Sequence, residues 1–222
     1  MTTPSERRKA LLDILEQRVL VLDGAMGTML QQRNLTADDF GGPVLEGCNE
    51  SLNRTRPDVV LDIHRAYLAA GSDAIETNTF NCDSISLHDY GLQDDVRELN
   101  VAAAQLARRA ADEFWTAAKP RFVIGSMGPT TKSITVVGGV TFPELVEVYY
   151  QRAKGLLDGG VDILAAETCN DTRAVKAALV AIERLRAERG TPIPTMVSGT
   201  IETIGTMLAG QTADAFCAGP LT

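Results

Sequence analysis

The chain has 222 residues, 45% hydrophobic and 23% charged, and its 21 Lys plus Arg against 29 Asp plus Glu leave a net charge of −8. That length suits one domain with a sizeable core and is short for two. A net-negative surface displaces no counterions from a phosphate backbone, so nucleic acid is excluded as a partner. No apolar run is long enough to span a bilayer. The stretch MTTPSERRKALLDILEQR is charged and amphipathic, without a cleavage site after an apolar core, so a cytoplasmic protein is expected.

In chain order, residues 1–18 read as an N-terminal amphipathic helix ahead of one domain over 19–222. VLVLDG (19–24) is predicted to be a strand ending in an acid and opening into Gly-Ala-Met-Gly, with little side chain on the backbone. Residues 57–70 form a helix started by Pro57, with Val60, Ile63 and Tyr67 on one face and Gly71 as its stop. DAIETNTF (73–80) is the next strand, and 94–117 the next helix, with Val96, Leu99, Ala103, Leu106 and Ala110 at helical spacing. RFVIGSMG (121–128) follows as a strand, and TFPE (141–144) is a capping box opening a helix that ends at Gly159-Gly160. DILAAET (162–168), a helix over 171–189 ended by Gly190, and IPTMVSGTI (193–201) complete the series. The strands read as nearly continuous apolar runs, which suits parallel strands covered on both faces, and their alternation with long helices predicts βαβ units.

YLAAGSDAIETN and LLDGGVDILAAETCN both read helix end, Gly-x-Asp, strand, Glu-Thr, Asn, a repeat of architecture and not of sequence. Each places Glu-Thr at the carboxyl end of its strand, where the first strand carries Asp23, the third Ser126 and the fifth Ser198. Polar groups on one rim are what a (β/α)-barrel active site requires, because its βα loops all open on one face. Taken one at a time, these residues have plainer readings. Asp23 with Gly24 reads equally as an ordinary strand-to-loop turn, and Glu76 and Glu167 as capping or surface acids. His64 reads as a satisfied helix histidine, His88 as exposed, and Met26, Met29 and Leu30 as packing at a helix start. Gly-Ala-Met-Gly is too loose for a nucleotide fingerprint. Cys48, Cys82, Cys169 and Cys217 lie far apart with no C-x-x-C pair, so they are expected as free thiols that make no zinc site by spacing.

Together, VLDGAMGTMLQ, GCNESLNRTRPDVV, ETNTF, IGSMGPT, DILAAET, MVSGTI and LAGQT resemble the homocysteine-binding domain of the cobalamin-dependent methionine synthases, over about residues 8–216. The resemblance implies a (β/α)8 barrel that moves a methyl group to the sulfur of homocysteine, activated as a thiolate by a zinc ion on three cysteines. It further implies a methyl donor, methylcobalamin, recharged by methyltetrahydrofolate on separate modules, so that the partners are homocysteine and the cobalamin- and folate-binding modules. By the same resemblance Asp23 and Glu167 accept the substrate ammonium, and the amides of Gly24 and Ala25 face its carboxylate.

The family's zinc cysteines sit in Gly-x-Asn-Cys and Gly-Gly-Cys-Cys-Gly segments, and this chain contains neither. None of its four cysteines matches a family ligand, so the metal ligands are expected beyond residue 222, and neither zinc nor methylcobalamin is expected to bind tightly here. The chain is therefore expected to form about five of eight βα units, as a gene fragment, a truncated reading frame or half of a split protein, inactive alone and prone to self-association at open sheet edges. CAGPLT (217–222) departs from the family's apolar helix. The alternative is a non-catalytic amino-acid-binding or complementation fragment. An aldolase-like barrel is disfavoured, because no lysine ends a strand and Lys132 falls in a loop.

Overall fold

The computed structural model describes residues 2–134 and 139–218. The divergent tail beyond Ala218 lies outside the described residues.

Four parallel strands, β1 (Ala74–Glu76), β2 (Phe122–Met127), β3 (Ile163–Cys169) and β4 (Thr195–Gly199), form one sheet in the order β1-β2-β3-β4. Sequential order without a reversal means the sheet is wound in one direction, as in a barrel and unlike a doubly wound fold, whose strand order turns back at a switch point. Helices α1 (Pro4–Leu15), α2 (Met26–Gln31), α3 (Ala37–Phe40), α4 (Leu52–Thr55) and α5 (Pro57–Ala70) precede β1, and α6 (Val96–Phe114), α7 (Phe142–Gly159) and α8 (Thr172–Arg189) connect the strands. Their punctuation is as the sequence predicts. Thr141 and Glu144 close a reciprocal capping box on α7, Asp171 caps α8, and Gly71, Gly160 and Gly190 end their helices at positive φ.

Strand parity divides the core in two. Ile75, Val123, Met127, Leu164 and Ala166 face the helices and join the alanine-rich faces of α6 and α8 in the main cluster. Ala74, Phe122, Ile124, Ile163 and Ala165 face the other way, and Leu11 of α1 (Pro4–Leu15) packs against them. The N-terminal helix thus covers the inner face of the sheet, and Arg7 on it is tied to Asp162 at 2.6 Å.

The segment 19–24 is not a strand. It touches β1 through a single bridge at Leu22, with Asp23 N–H donating to Ala74 C=O at 3.1 Å. Val19 and Val21 are exposed, and the Val21 N–H is taken by the Asp73 side chain at 3.0 Å. With the Val21 donor diverted to a carboxylate, the ladder does not extend beyond that bridge. Five expected strands are therefore four, plus one bridged segment. The second predicted strand is also shorter, because after Glu76 the chain leaves the sheet for a loop bound by its own hydroxyls, with Thr77 Oγ1 to Thr79 Oγ1 at 2.6 Å and Thr79 Oγ1 donating to Ser126 C=O at 2.7 Å.

His64 is buried on α5 without a hydrogen-bond partner at either ring nitrogen among the described residues, so it is not the satisfied histidine expected. Burial pushes its pKa down to about 4 and keeps it neutral. His88 is exposed, and Met26, Met29 and Leu30 pack one small cluster at α2 (Met26–Gln31), as expected.

Candidate functional site

The inner rows of the sheet share one pattern. Ala74 is followed by Glu76, Phe122 and Ile124 by Ser126, and Ile163 and Ala165 by Glu167. Alternation fixes all of these side chains on one face, so apolar residues fill the lower layers and polar ones end at the carboxyl rim.

Asp23 reaches the same place from the bridged segment. Its two carboxylate oxygens accept the Glu76 N–H at 3.1 and 3.0 Å. The Glu167 charge acts on the Glu76 carboxyl, and the Ser126 hydroxyl donates to Glu167. Three half-buried acids therefore converge, and no Lys, Arg or His is among the groups that act on Asp23 or Glu76. Burial first, and the Glu167 charge after it, raise Glu76 to about 8. Burial likewise raises Asp23 to about 7 against the opposing Glu76 N–H.

Beside the acids the backbone is bare. The amides of Gly24 and Ala25 donate to no acceptor among the described residues. The Tyr67 hydroxyl of α5 donates to Ala25 C=O at 3.2 Å, and a Cβ on Gly24 would meet that hydroxyl at 3.0 Å. A side chain at Gly24 would need the phenol to move aside by a few tenths of an ångström. Beyond Glu167 the β3–β4 register breaks between Ala166 and Cys169, and Thr168 adopts φ +54° with its N–H donating to Ser198 Oγ at 3.0 Å. A β-branched residue in the left-handed region is strained, and such strain beside a rim acid belongs with a site that needs its side chain re-aimed.

The four residues expected at the site, Asp23, Gly24, Ala25 and Glu167, thus lie on one rim. Glu76 and Tyr67 join them there. Glu76 was open to a surface reading, yet its parity with Ala74 already put it on the inner face. Tyr67 was assigned only to the apolar face of its helix, and nothing local in the sequence pointed it at Ala25.

The cysteines do not fit a thiolate metal site. Cys48 and Cys82 are buried in a cluster with Leu87 and Leu99, and Asn100 Nδ2 lies 3.2 Å from Cys82 Sγ. Cys169 is buried at the end of β3 and Cys217 is exposed. Burial raises Cys48 to about 11 and Cys169 to about 12, which keeps them thiols where zinc needs thiolates. Among the described residues no group of three or more His, Cys, Asp or Glu is placed to hold a metal ion, and no helix is long and apolar enough to cross a membrane.

A one-way parallel sheet with acids on its carboxyl rim has the architecture of part of a (β/α)8 barrel. Residues 20–220 match the sequence profile of the homocysteine S-methyltransferases, and the chain belongs to that family. It is 49% identical over 201 residues to methionine synthase of Mycobacterium tuberculosis, and equally to that of Mycobacterium leprae over the same length. Those alignments take in 90% of this chain but only 17% and 16% of the relatives, so the chain spans about a sixth of their length. Among solved structures, the oxidised form of the homocysteine methyltransferase MmuM from Escherichia coli superposes with a TM-score of 0.75 at 22% identity, over 98% of this chain and 72% of that one. Its metallated form gives 0.76 over 96% and 73%. At that identity the likeness shows the fold alone.

Proposed function

We propose that this chain carries the amino-acid-binding part of a homocysteine S-methyltransferase domain of a methionine synthase. Asp23 and Glu167 take the substrate ammonium and the amides of Gly24 and Ala25 take its carboxylate, which leaves the thiol directed away from the rim. The observation that carries this reading is a set of rim acids without a salt bridge beside two amides without an acceptor, both among the described residues. An ammonium among carboxylates, with its own carboxylate on bare N–H groups, satisfies both at once through charge-assisted hydrogen bonds.

On this reading thiol activation by zinc and methyl supply from methylcobalamin come from outside these residues, as does the folate-binding module. The protein is a cytoplasmic enzyme part that needs complementary segments for turnover. Zinc–thiolate coordination adds much of the affinity in a complete site, so homocysteine alone binds this chain weakly. Fusion to a homologous C-terminal part is expected to restore zinc and homocysteine binding together. In that fusion, Asp23→Ala or Glu167→Ala should weaken homocysteine by ~1.5–3 kcal/mol per lost charged hydrogen bond, with zinc content unchanged. Loss of zinc in either variant, or unchanged homocysteine affinity in both, rejects the assignment.

The second reading, a complementation fragment of a split barrel, is favoured by the far side of β4. No described strand pairs there, and Ile204 and Leu208 are exposed beyond it. It predicts concentration-dependent association of the isolated chain in sedimentation velocity; a monomer that binds no dye for exposed apolar surface speaks against it.

A further inference from the structure

Where the chain leaves β1 after Glu76, the N–H and C=O of the buried Ser126 on β2 lose the strand that would have paired them. Buried backbone groups need partners, and two threonine side chains supply them. The Ser126 N–H donates to Thr77 Oγ1 at 3.0 Å, and Thr79 Oγ1 donates to Ser126 C=O at 2.7 Å. A hydroxyl has one proton and a carbonyl has none, so the 2.6 Å contact between the two threonines carries the proton of Thr77. The result is a closed ring with every donor direction fixed, from Ser126 N–H through Thr77 and Thr79 back to Ser126 C=O. Both threonines are buried. Their loop is clamped in turn by the buried guanidinium of Arg152 on α7, which donates to Thr79 C=O at 3.2 Å, Phe80 C=O at 2.7 Å and Gly128 C=O at 2.8 Å.

The Ser126 hydroxyl takes no part in this ring and donates to Glu167 on β3. A serine oxygen sits one bond beyond Cβ, so in a given rotamer its place is set by the backbone. We infer that Thr77 and Thr79 are positioning residues of the amino-acid site. By holding Ser126 at both backbone groups they aim its hydroxyl, and that hydroxyl fixes the Glu167 side chain for the ammonium. This rests on the amino-acid reading above and deepens it, because it extends the site to the threonines of ETNTF, which that reading leaves without a role. A ring of side chains also does what a longer strand could not. It lets the chain turn away from the sheet after Glu76 while Ser126 stays in register with Ala165 of β3.

The test uses the whole chain and reads affinity by NMR titration with L-homocysteine, and with L-norleucine as the same amine and carboxylate without the thiol. Ser126→Ala should weaken both ligands about tenfold or more, the loss of one hydrogen bond to a charged group. Thr79→Val, which keeps the shape and removes the hydroxyl, should weaken them by a similar factor, and Thr79→Ser should restore binding. A residue that merely holds the fold would add its own loss in any background. One that acts through the Ser126 hydroxyl has nothing left to lose once that hydroxyl is gone. The double variant of Ser126→Ala with Thr79→Val should therefore bind no more weakly than Ser126→Ala alone. Unchanged affinity in Thr79→Val, or losses that multiply in the double variant, overturns the positioning role and leaves the amino-acid site standing. If Thr79→Val loses the folded circular dichroism spectrum, Thr77→Val takes its place in the same cycle; unfolding of both makes the pair fold residues and overturns the proposal. Binding of neither ligand by the unmodified chain instead overturns the amino-acid reading and the positioning role that depends on it.

Discussion

At the end of the sheet where its strands begin, Asp73 is buried and the Asp162 side chain is 4% exposed, and each is met by arginine. Asp73 accepts Arg18 at 2.6 and 2.9 Å and the Val21 N–H at 3.0 Å. Asp162 accepts Arg7 at 2.6 Å, Arg108 at 2.7 Å and the Val123 N–H at 2.9 Å. At the opposite end Glu76 and Glu167 close the same two strands, and among the described residues neither has a salt bridge. Both pairs come from one repeated pattern, Gly-x-Asp, strand, Glu-Thr. The acid that opens the strand is neutralised internally and holds the fold, and the acid that closes it is the one proposed to meet a ligand. An acid's role is therefore read from who pairs with it, more than from its burial or its place in a motif.

The comparison breaks most visibly at Asp162. Its side chain is 4% exposed against 8% for Arg7 and 12% for Arg108, so Asp162→Ala leaves two cations with little access to water. Removal of one member of such a buried set costs about 3–5 kcal/mol, and α1 should loosen from the inner face. Urea unfolding followed by circular dichroism measures this. A loss no larger than that of an exposed substitution would show that the base pairs are decorative.

Glu76→Gln at the rim should act in the opposite sense. The folded pKa of Glu76, about 8, lies above its ordinary 4.5, so between these values the folded chain holds a proton that the unfolded chain has lost. Stability therefore falls as pH rises through this window, and the cost is complete above the folded pKa. Relative to the unmodified chain, Glu76→Gln is expected to gain about 1–2 kcal/mol at pH 8.5, a value discounted for partial solvation, with the gain gone near pH 4.5. Asp73 sharpens the contrast, because the Arg18 guanidinium lowers its pKa from 3.8. Its contribution is present above that value and is lost as pH falls through the folded pKa. Matching pH profiles for Glu76→Gln and Asp73→Asn would erase the difference between the two ends.

The smallest effect is expected at Tyr67→Phe, which removes the exposed hydrogen bond to Ala25 C=O. Stability should change by no more than about 0.5 kcal/mol, while amino-acid binding in the complemented protein weakens as the Gly24–Ala25 amides lose their brace. A stability loss comparable to Asp162→Ala would make Tyr67 a fold residue instead.

Much of this was legible in the sequence because it is encoded over short windows. Pro57 and Gly71, the Thr141–Glu144 box and Gly190 punctuate helices within a few residues of themselves, and the helices form where these signals put them. Alternation along RFVIGSMG and DILAAET likewise carries Ser126 and Glu167 to one rim without reference to the rest of the chain. The bare backbone after Asp23 and the family motifs pointed to the rim on which the proposed site lies. The tertiary structure alone decided the rest. VLVLDG has the composition of a strand, but only Leu22 bridges β1, and the Val21 N–H is drawn off to the Asp73 carboxylate. His64 sits at an ordinary helical position, and its loss of hydrogen-bond partners follows from what packs around α5. Arg7 meets Asp162 across 155 residues and Arg18 meets Asp73 across 55, whereas nothing basic reaches Glu76. Periodicity and capping act through the nearest turns of chain, so sequence determines them; countercharge and edge pairing act through space, so only the folded chain does.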